Sequence, residues 1–337
     1  MTRFNFSLAI LACSLATSSI AAPDNLRYRL TLLDPSLTSS TEVTDLNNRG
    51  EVVGNDGNGR AFLWNGQLVD LGSRLDPGSP VSRAMAVNDR SDIVGTYQDG
   101  KGVTHNFLLQ QGQVITIQVI GNGPVTPTDI NNCRQVVGTA FDAQFIEHGF
   151  IWRRGEAELL EAPPGGAGVG VTAVNAHGVA VGASLVGDNS RAVIWKDGAA
   201  LFIGPESMRA VAINKREQVL LEPDSLPGVV SIWEDGEVQP LPVLSGSLGT
   251  MIARDINNRG QVVGSSSMPD GSSAATLWHK DAAVNLNTRI DSNDPLRPFV
   301  RLAFAALINN RGQIVALGPD SRRPDGAFQY YLLTPVR

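Results

Sequence analysis

Asp255-Ile256-Asn257-Asn258-Arg259-Gly260-Gln261-Val262-Val263-Gly264 decides the fold, because the same phrase stands at Asp45 to Gly54 and again at Asp129 to Gly138. Weaker copies fill the gaps at Ala86-Val87-Asn88, Ala173-Val174-Asn175, Ala212-Ile213-Asn214 and Leu307-Ile308-Asn309. The key residues Asn47, Asn88, Asn131, Asn175, Asn214, Asn257 and Asn309 are spaced by 41, 43, 44, 39, 43 and 52 residues. A period of about 40 to 45 residues is the length of one four-stranded propeller blade.

Each copy reads as strands. An apolar run ending in Ile-Asn or Val-Asn meets a short turn and then a Val/Ile-rich run ending in glycine, the pattern of a tight hairpin. Gly50, Gly178, Gly260 and Gly312 end that turn, where a positive φ costs glycine little; Ser91, Arg134 and Glu217 must accept it in three other copies. A variable polar loop leads to a third strand that ends at Trp64, Trp152, Trp195, Trp233 or Trp278, with Leu109 and Tyr331 in the remaining copies. A tight turn such as Asn65-Gly66 or Asp197-Gly198 then opens a short fourth strand. No segment keeps a 3.6-residue apolar period over helix length, so essentially no helix is expected.

The fold class is therefore all-β, a seven-bladed β-propeller of four-stranded blades. The blades are expected near residues 40–75, 80–120, 124–163, 168–205, 207–244, 250–290 and 300–335, the last completed by 27–36. The last copy runs out at Leu333-Thr334-Pro335 without a fourth strand, and the strand-like Tyr28 to Leu33 has no unit of its own. Pairing them closes the ring and leaves no open edge.

Residues 1–21 read as a secretory signal peptide: Arg3 precedes an apolar stretch, and small residues lead to a cut after Ala21, ahead of a single domain over 22–337. A second reading takes Ile10-Leu11-Ala12-Cys13 as a lipobox, with Cys13 as a lipid anchor. The expected location is secreted or periplasmic, with lipoprotein anchoring the lesser alternative. No run is long enough to span a bilayer as a helix, which takes about 20 apolar residues. With the leader removed only Cys133 remains, so no intramolecular disulfide forms and stability rests on packing. The formal charge of −6, from 27 basic and 33 acidic side chains, comes without a Lys/Arg run, so nucleic acid is not expected as a partner.

Candidate chemistry is sparse. A tryptophan recurring at one register position is expected to pack between blades rather than to offer a sugar platform. Asp45, Asp129 and Asp255 suggest a carboxylate ring near the axis, but Ala86, Ala173, Ala212 and Leu307 leave it incomplete, and a hydrogen bond to a nearby turn amide explains them. His105, His148, His177 and His279 lack metal-ligand spacing. Cys133, in a hairpin turn, has no base to activate it. Gly165 to Gly170 opens a strand where a phosphate site needs a helix N-terminus. No cofactor, metal or catalytic residue is expected.

The phrases Asp255 to Gly264, His148-Gly149-Phe150-Ile151-Trp152 and Leu332-Leu333-Thr334-Pro335 resemble the HAF family of bacterial exported, extracellular repeat proteins. The resemblance covers residues 27 to 335. It implies an exported repeat architecture and no established activity. Only His105 and His148 keep the family's histidine, while Arg60 and Arg191 stand in its place elsewhere.

Geometry then divides the surface. First-to-second and third-to-fourth connections share one face and are tight; second-to-third and interblade connections share the other and are long. The longest insertion, Thr288 to Leu302, carries Arg289, Asp291, Asp294, Arg297 and Arg301, and the next loop adds Arg322 and Arg323. These residues form the candidate partner-binding face, since loops on a rigid scaffold usually hold binding residues and arginines favour carboxylates. The function expected is a non-enzymatic binding or scaffold module for a protein or glycan of the cell envelope or exterior. The alternative is a propeller enzyme, a lyase or hydrolase, with its site at the channel mouth on the long-loop face.

Overall fold

A computed structural model of the chain describes residues 26–76, 78, 80–120, 123–225 and 229–336. Residues 1–21, read from the sequence as a leader, and Cys13 within them lie outside the described residues. Seven four-stranded antiparallel sheets follow one another around a ring. Blade 1 comprises Glu42–Leu46, Val52–Asn55, Ala61–Trp64 and Leu68–Asp70. Blades 2 to 6 run from Ser82 to Thr116, Val125 to Leu160, Ala167 to Glu206, Met208 to Pro240 and Met251 to Asn285. Blade 7 takes Phe304–Ile308, Ile314–Pro319 and Phe328–Val336, and Arg27–Leu32 supplies its outermost strand. That strand pairs from Arg27 opposite Val336 to Leu32 opposite Tyr331, so the ring closes as the sequence predicts.

The described chain is nearly all sheet, as expected, and helix is confined to short connections. A single helical turn at Gly72–Leu75 and 3-10 turns at Leu286–Arg289 and Pro324–Gly326 occupy connections between strands. One turn is too short to leave an apolar period in the sequence.

The core is divided. Seven apolar clusters each lie across one junction between neighbouring blades. The strand-end aromatics belong to them: Trp64, Trp152, Trp195 and Trp278 are buried, Trp233 is half-buried, and Tyr331 and Leu109 fill the equivalent places. Three indole N–H groups reach main-chain carbonyls, Trp64 to Leu33, Trp195 to Glu161 and Trp278 to Pro242, which satisfies the polar end of an otherwise apolar anchor.

Each first strand carries a bulge two or three residues before the key asparagine. The bulge bends the backbone toward the second strand: a Cβ on Gly264 would lie 1.9 Å from the Ile252 carbonyl oxygen. That close approach explains why the second run ends in glycine. The turn itself needs a left-handed residue, Gly260 at φ 73° and, less comfortably, Ser91 at 63°, Arg134 at 60° and Glu217 at 63°.

Candidate functional site

The asparagines do more than mark a repeat. Asn257 Oδ1 accepts the N–H groups of Arg259 and Gln261, which fixes the turn, while its Nδ2 donates to the Asn309 carbonyl of the next blade at 3.1 Å. The same bond runs from Asn47 to Asn88, Asn88 to Asn131, Asn131 to Asn175, Asn175 to Asn214 and Asn214 to Asn257. Asn309 Nδ2 returns to the Asn47 carbonyl at 2.9 Å. All seven asparagines are buried around a central funnel of about 200 Å³. Their carboxamides are committed to main-chain groups of their own turn and of the next blade, which occupies them with structure.

The acidic residues of the funnel are committed as well, though not to the turn amide the sequence suggested. Asp45 accepts Leu46 N–H and, from the next blade, Val87 N–H at 2.7 Å. Asp129 bridges Ile130 and Val174, and Asp255 bridges Ile256 and Ile308, in the same way. The bulge rotates the carboxylate outward across the blade junction. Part of each residue's area faces the funnel, but the surrounding protein strips much of the water from the carboxylate, and burial dominates its ionisation. Burial pushes Asp45 up to about 8, with the Asp129 charge adding to the rise and the Val87 and Leu46 amides opposing it. Burial likewise raises Asp255 to about 6 and moves Asp129 in the same direction.

His105 and His148 hold loops. His105 Nε2 lies 2.9 Å from Asp99 Oδ2 and His148 Nε2 lies 3.0 Å from Asp142 Oδ2, while each aspartate's other oxygen accepts two loop amides. The hydrogen bond from His105 holds the Asp99 carboxyl down, at about 2. No cluster of three metal-ligating side chains occurs among the described residues.

On the long-loop face the insertion between blades 6 and 7 is partly core. Leu286, Ile290, Val300 and Leu302 are buried in the cluster shared by those blades. Its outgoing arm covers the free edge of the N-terminal strand: Ile290 bridges Tyr28, Asp291 N–H donates to the Tyr28 carbonyl, and Leu30 N–H donates to Asp294 Oδ2 at 2.6 Å. Asp294 is therefore buried structure and leaves the candidate face. Asp291 caps its own turn by accepting Asn293 N–H.

The arginines divide too. Arg322 grips the fully buried Asp320 through Nε at 2.9 Å and Nη2 at 2.6 Å, and Tyr331 donates to the same carboxylate. The Arg322 hydrogen bond drives the Asp320 carboxyl far below the usual range. Arg301 reaches Ser272 and, at 3.4 Å, Asp270 on the blade 6 loop. Arg289 and Arg323 are half-buried. Arg297 is exposed, and with Arg301 it lines a cavity of about 340 Å³ together with Met268, Asn285, Asn287 and Val300. Beside this cavity Phe299 is 42% exposed under the Arg322 guanidinium, 5.4 Å from the ring centre. Of the seven residues named from sequence, the structure sets Arg322 over Phe299, places Arg297 and Arg301 on one cavity, and assigns Asp294 and Asp291 to architecture.

The sequence reading missed a second charged region. The third residue of the tight turn is Arg49, Arg90, Arg216, Arg259 or Arg311 in five blades, and all five are exposed on the tight-turn face. No basic run exists along the chain, yet one arginine per repeat becomes a crown when the ring closes. The period that revealed the blades was the available signal.

The fold has many counterparts. The chain is similar to the β-propeller domain of the Trilobed protease from Pyrococcus furiosus, with TM-score 0.53 and 12% identity over 88% of this chain and 94% of that one. It is also similar to Pyrococcus horikoshii acylaminoacyl peptidase, with TM-score 0.53 and 14% identity over 92% of this chain and 52% of that one, so it spans about half the length of that peptidase. YCF48 from Cyanidioschyzon merolae matches at TM-score 0.52 and 8% identity over 90% of this chain and 98% of that one. At such identities the likeness shows the propeller fold alone. No protein-family model matches the chain, and no curated protein matches it.

Proposed function

We propose that the chain is an exported, non-enzymatic binding module of the HAF type, whose partner seats on the long-loop face over blades 6 and 7. The observation that carries this reading is the exposed Phe299 under an Arg322 locked in place through Asp320, next in the chain to Val300 of the cavity that Arg297 and Arg301 line. An aromatic side chain beside an arginine already fixed by the scaffold is the composition of an interface anchor, because little side-chain entropy is lost when the partner arrives. The arginines suit a carboxylate-bearing partner, a protein or an acidic glycan of the cell envelope or exterior. The leader over residues 1–21 supports an exported location.

A binding role is favoured over catalysis by what the acidic groups already do. The three funnel carboxylates each accept two main-chain amides, and they lie toward the tight-turn end of the channel rather than at the long-loop mouth. Screening the protein against envelope glycans and secreted proteins identifies ligands. Phe299→Ala with Arg297→Ala should then weaken the best of them by about tenfold or more, which corresponds to about 1.4 kcal/mol. Undiminished binding would remove this face from consideration. Turnover of a screened compound that persists in the double variant would favour an enzyme instead.

A further inference from the structure

The second residue of each tight turn belongs to an outer ring around the funnel mouth, and that ring is broken in one sector. Asn48 N–H donates to Asp89 Oδ1 at 2.7 Å and Asp89 N–H to Asn132 Oδ1 at 2.8 Å. Lys215 N–H donates to Asn258 Oδ1 at 2.8 Å, Asn258 N–H to Asn310 Oδ1 at 2.7 Å, and Asn310 N–H to Asn48 Oδ1 at 2.7 Å. In each case a main-chain donor is satisfied by a side-chain oxygen from the following blade. The two remaining links have no such oxygen. Asn132 N–H would need an acceptor on residue 176, which is Ala176; Ala176 N–H would need one on residue 215, which is Lys215, a donor only. Neither amide meets an acceptor among the described residues, and Asn132, Ala176, His177 and Lys215 are all exposed at the rim.

We propose that this gap binds a carboxylate of an acidic peptide segment, each oxygen taking one of the two amides and the Lys215 ammonium neutralising the charge. The protein holds a carboxylate of its own at the same ring position two blades away. Asp89 accepts Asn48 N–H, Asn48 Nδ2 and Asn132 Nδ2; against the opposing effect of burial, these side-chain amides keep its carboxyl below the usual range. The site is electrostatically open to an anion. Arg216 and Arg259 continue the positive rim beyond Lys215, whereas Arg134 is taken by the buried Asp92. Asp89 and Asp129, which line the same funnel, already accept donors from the protein itself. A partner with several acidic side chains would place one in the gap and others along the arginine crown. This face lies opposite the Phe299 surface, so each proposal stands or falls separately.

Titrating the isotope-labelled protein with an N-acetylated hexaglutamate peptide should move the amide resonances of residues 132 and 176 in a saturable manner, and fluorescence anisotropy of the labelled peptide gives the affinity. Ala176→Asn with Lys215→Asn supplies both missing acceptors from within the chain. That variant should melt at or above the wild-type temperature and bind the peptide about tenfold more weakly or worse. Ala176→Asn alone keeps Lys215 and the net charge; it should weaken binding by a smaller factor, and it serves should the double variant fail to fold. Unchanged affinity in the ring-filled variants, or amides 132 and 176 that stay still, overturns the proposal. Tighter binding of a short single-stranded oligonucleotide than of the peptide would overturn the choice of carboxylate.

Discussion

Each tight turn commits its asparagine to the neighbouring blade by the same bond, seven times over, whereas the long-loop face over blades 6 and 7 is held by interactions that occur once. There, Asp294 caps the N-terminal strand, Asp320 gathers Arg322 and Tyr331, and the connection between blades 6 and 7 buries four apolar residues. The outer ring of second turn residues lacks an acceptor at Ala176, yet the asparagine beside it keeps its bond to the next blade. The singular region has no such redundancy. Loss of one member there should be felt locally and in full.

The largest effect should come from removing residues 22 to 36. This leaves the Phe328–Val336 edge unpaired, with the Asp294 cap and the Tyr28 bridge lost together. Cooperative thermal unfolding should disappear or the protein should self-associate; an unchanged melting temperature and a monomeric profile on size exclusion would contradict the closure. Trp278→Ala should cost about 3 to 5 kcal/mol by emptying a fully buried site, read from denaturant midpoints. Asn257→Ala breaks one link of the repeated ring, strands two turn amides and should cost about 2 to 4 kcal/mol. If its cost falls below that of Asp294→Ala, the ring is the more forgiving region by measurement.

Ionisation tests the ring from inside. Asp45 and Asp255 have folded pKa values raised to about 8 and about 6, so the folded state holds protons that the unfolded chain releases near pH 4. Their contribution is complete below about pH 4 and is lost as pH rises through about 6 and then about 8. The wild-type melting temperature should therefore decline across that window, and Asp45→Asn should flatten the upper part of the decline. A steeper slope in the variant would refute the burial argument. The smallest effect belongs to Arg297→Ala, which should leave stability within about 0.5 kcal/mol while weakening ligand binding.

The blades were legible because the Asn-to-Asn period and the strand-end tryptophans repeat along the chain, and closure was legible because Tyr28 to Leu33 lacked a partner. What stayed hidden depends on contacts between distant positions. The bond from Asn309 to Asn47 joins residues 262 apart, and nothing in either turn alone announces it. The Asp255 carboxylate crosses to Ile308 because a bulge redirects it, and bulges leave no clear mark in a pattern of Val and Ile. Asp294 and Arg322 read as solvent-facing charges in a polar loop, yet each is tied into the body of the protein by a partner that only the folded chain brings close. The arginine crown was hidden for the opposite reason: its members are far apart in the chain and close only around the axis.

The asparagine bonds all point the same way around the axis, and the one that joins blade 7 to blade 1 has the same chemistry and a length within the range of the other six. As far as these bonds are concerned, the ring has no first blade. Where the backbone is cut is then a matter of synthesis rather than of architecture. A circular permutant joined from Val336 to Arg27, which already face each other across the seventh sheet, and opened in the connection between blades 3 and 4 would keep every one of those links.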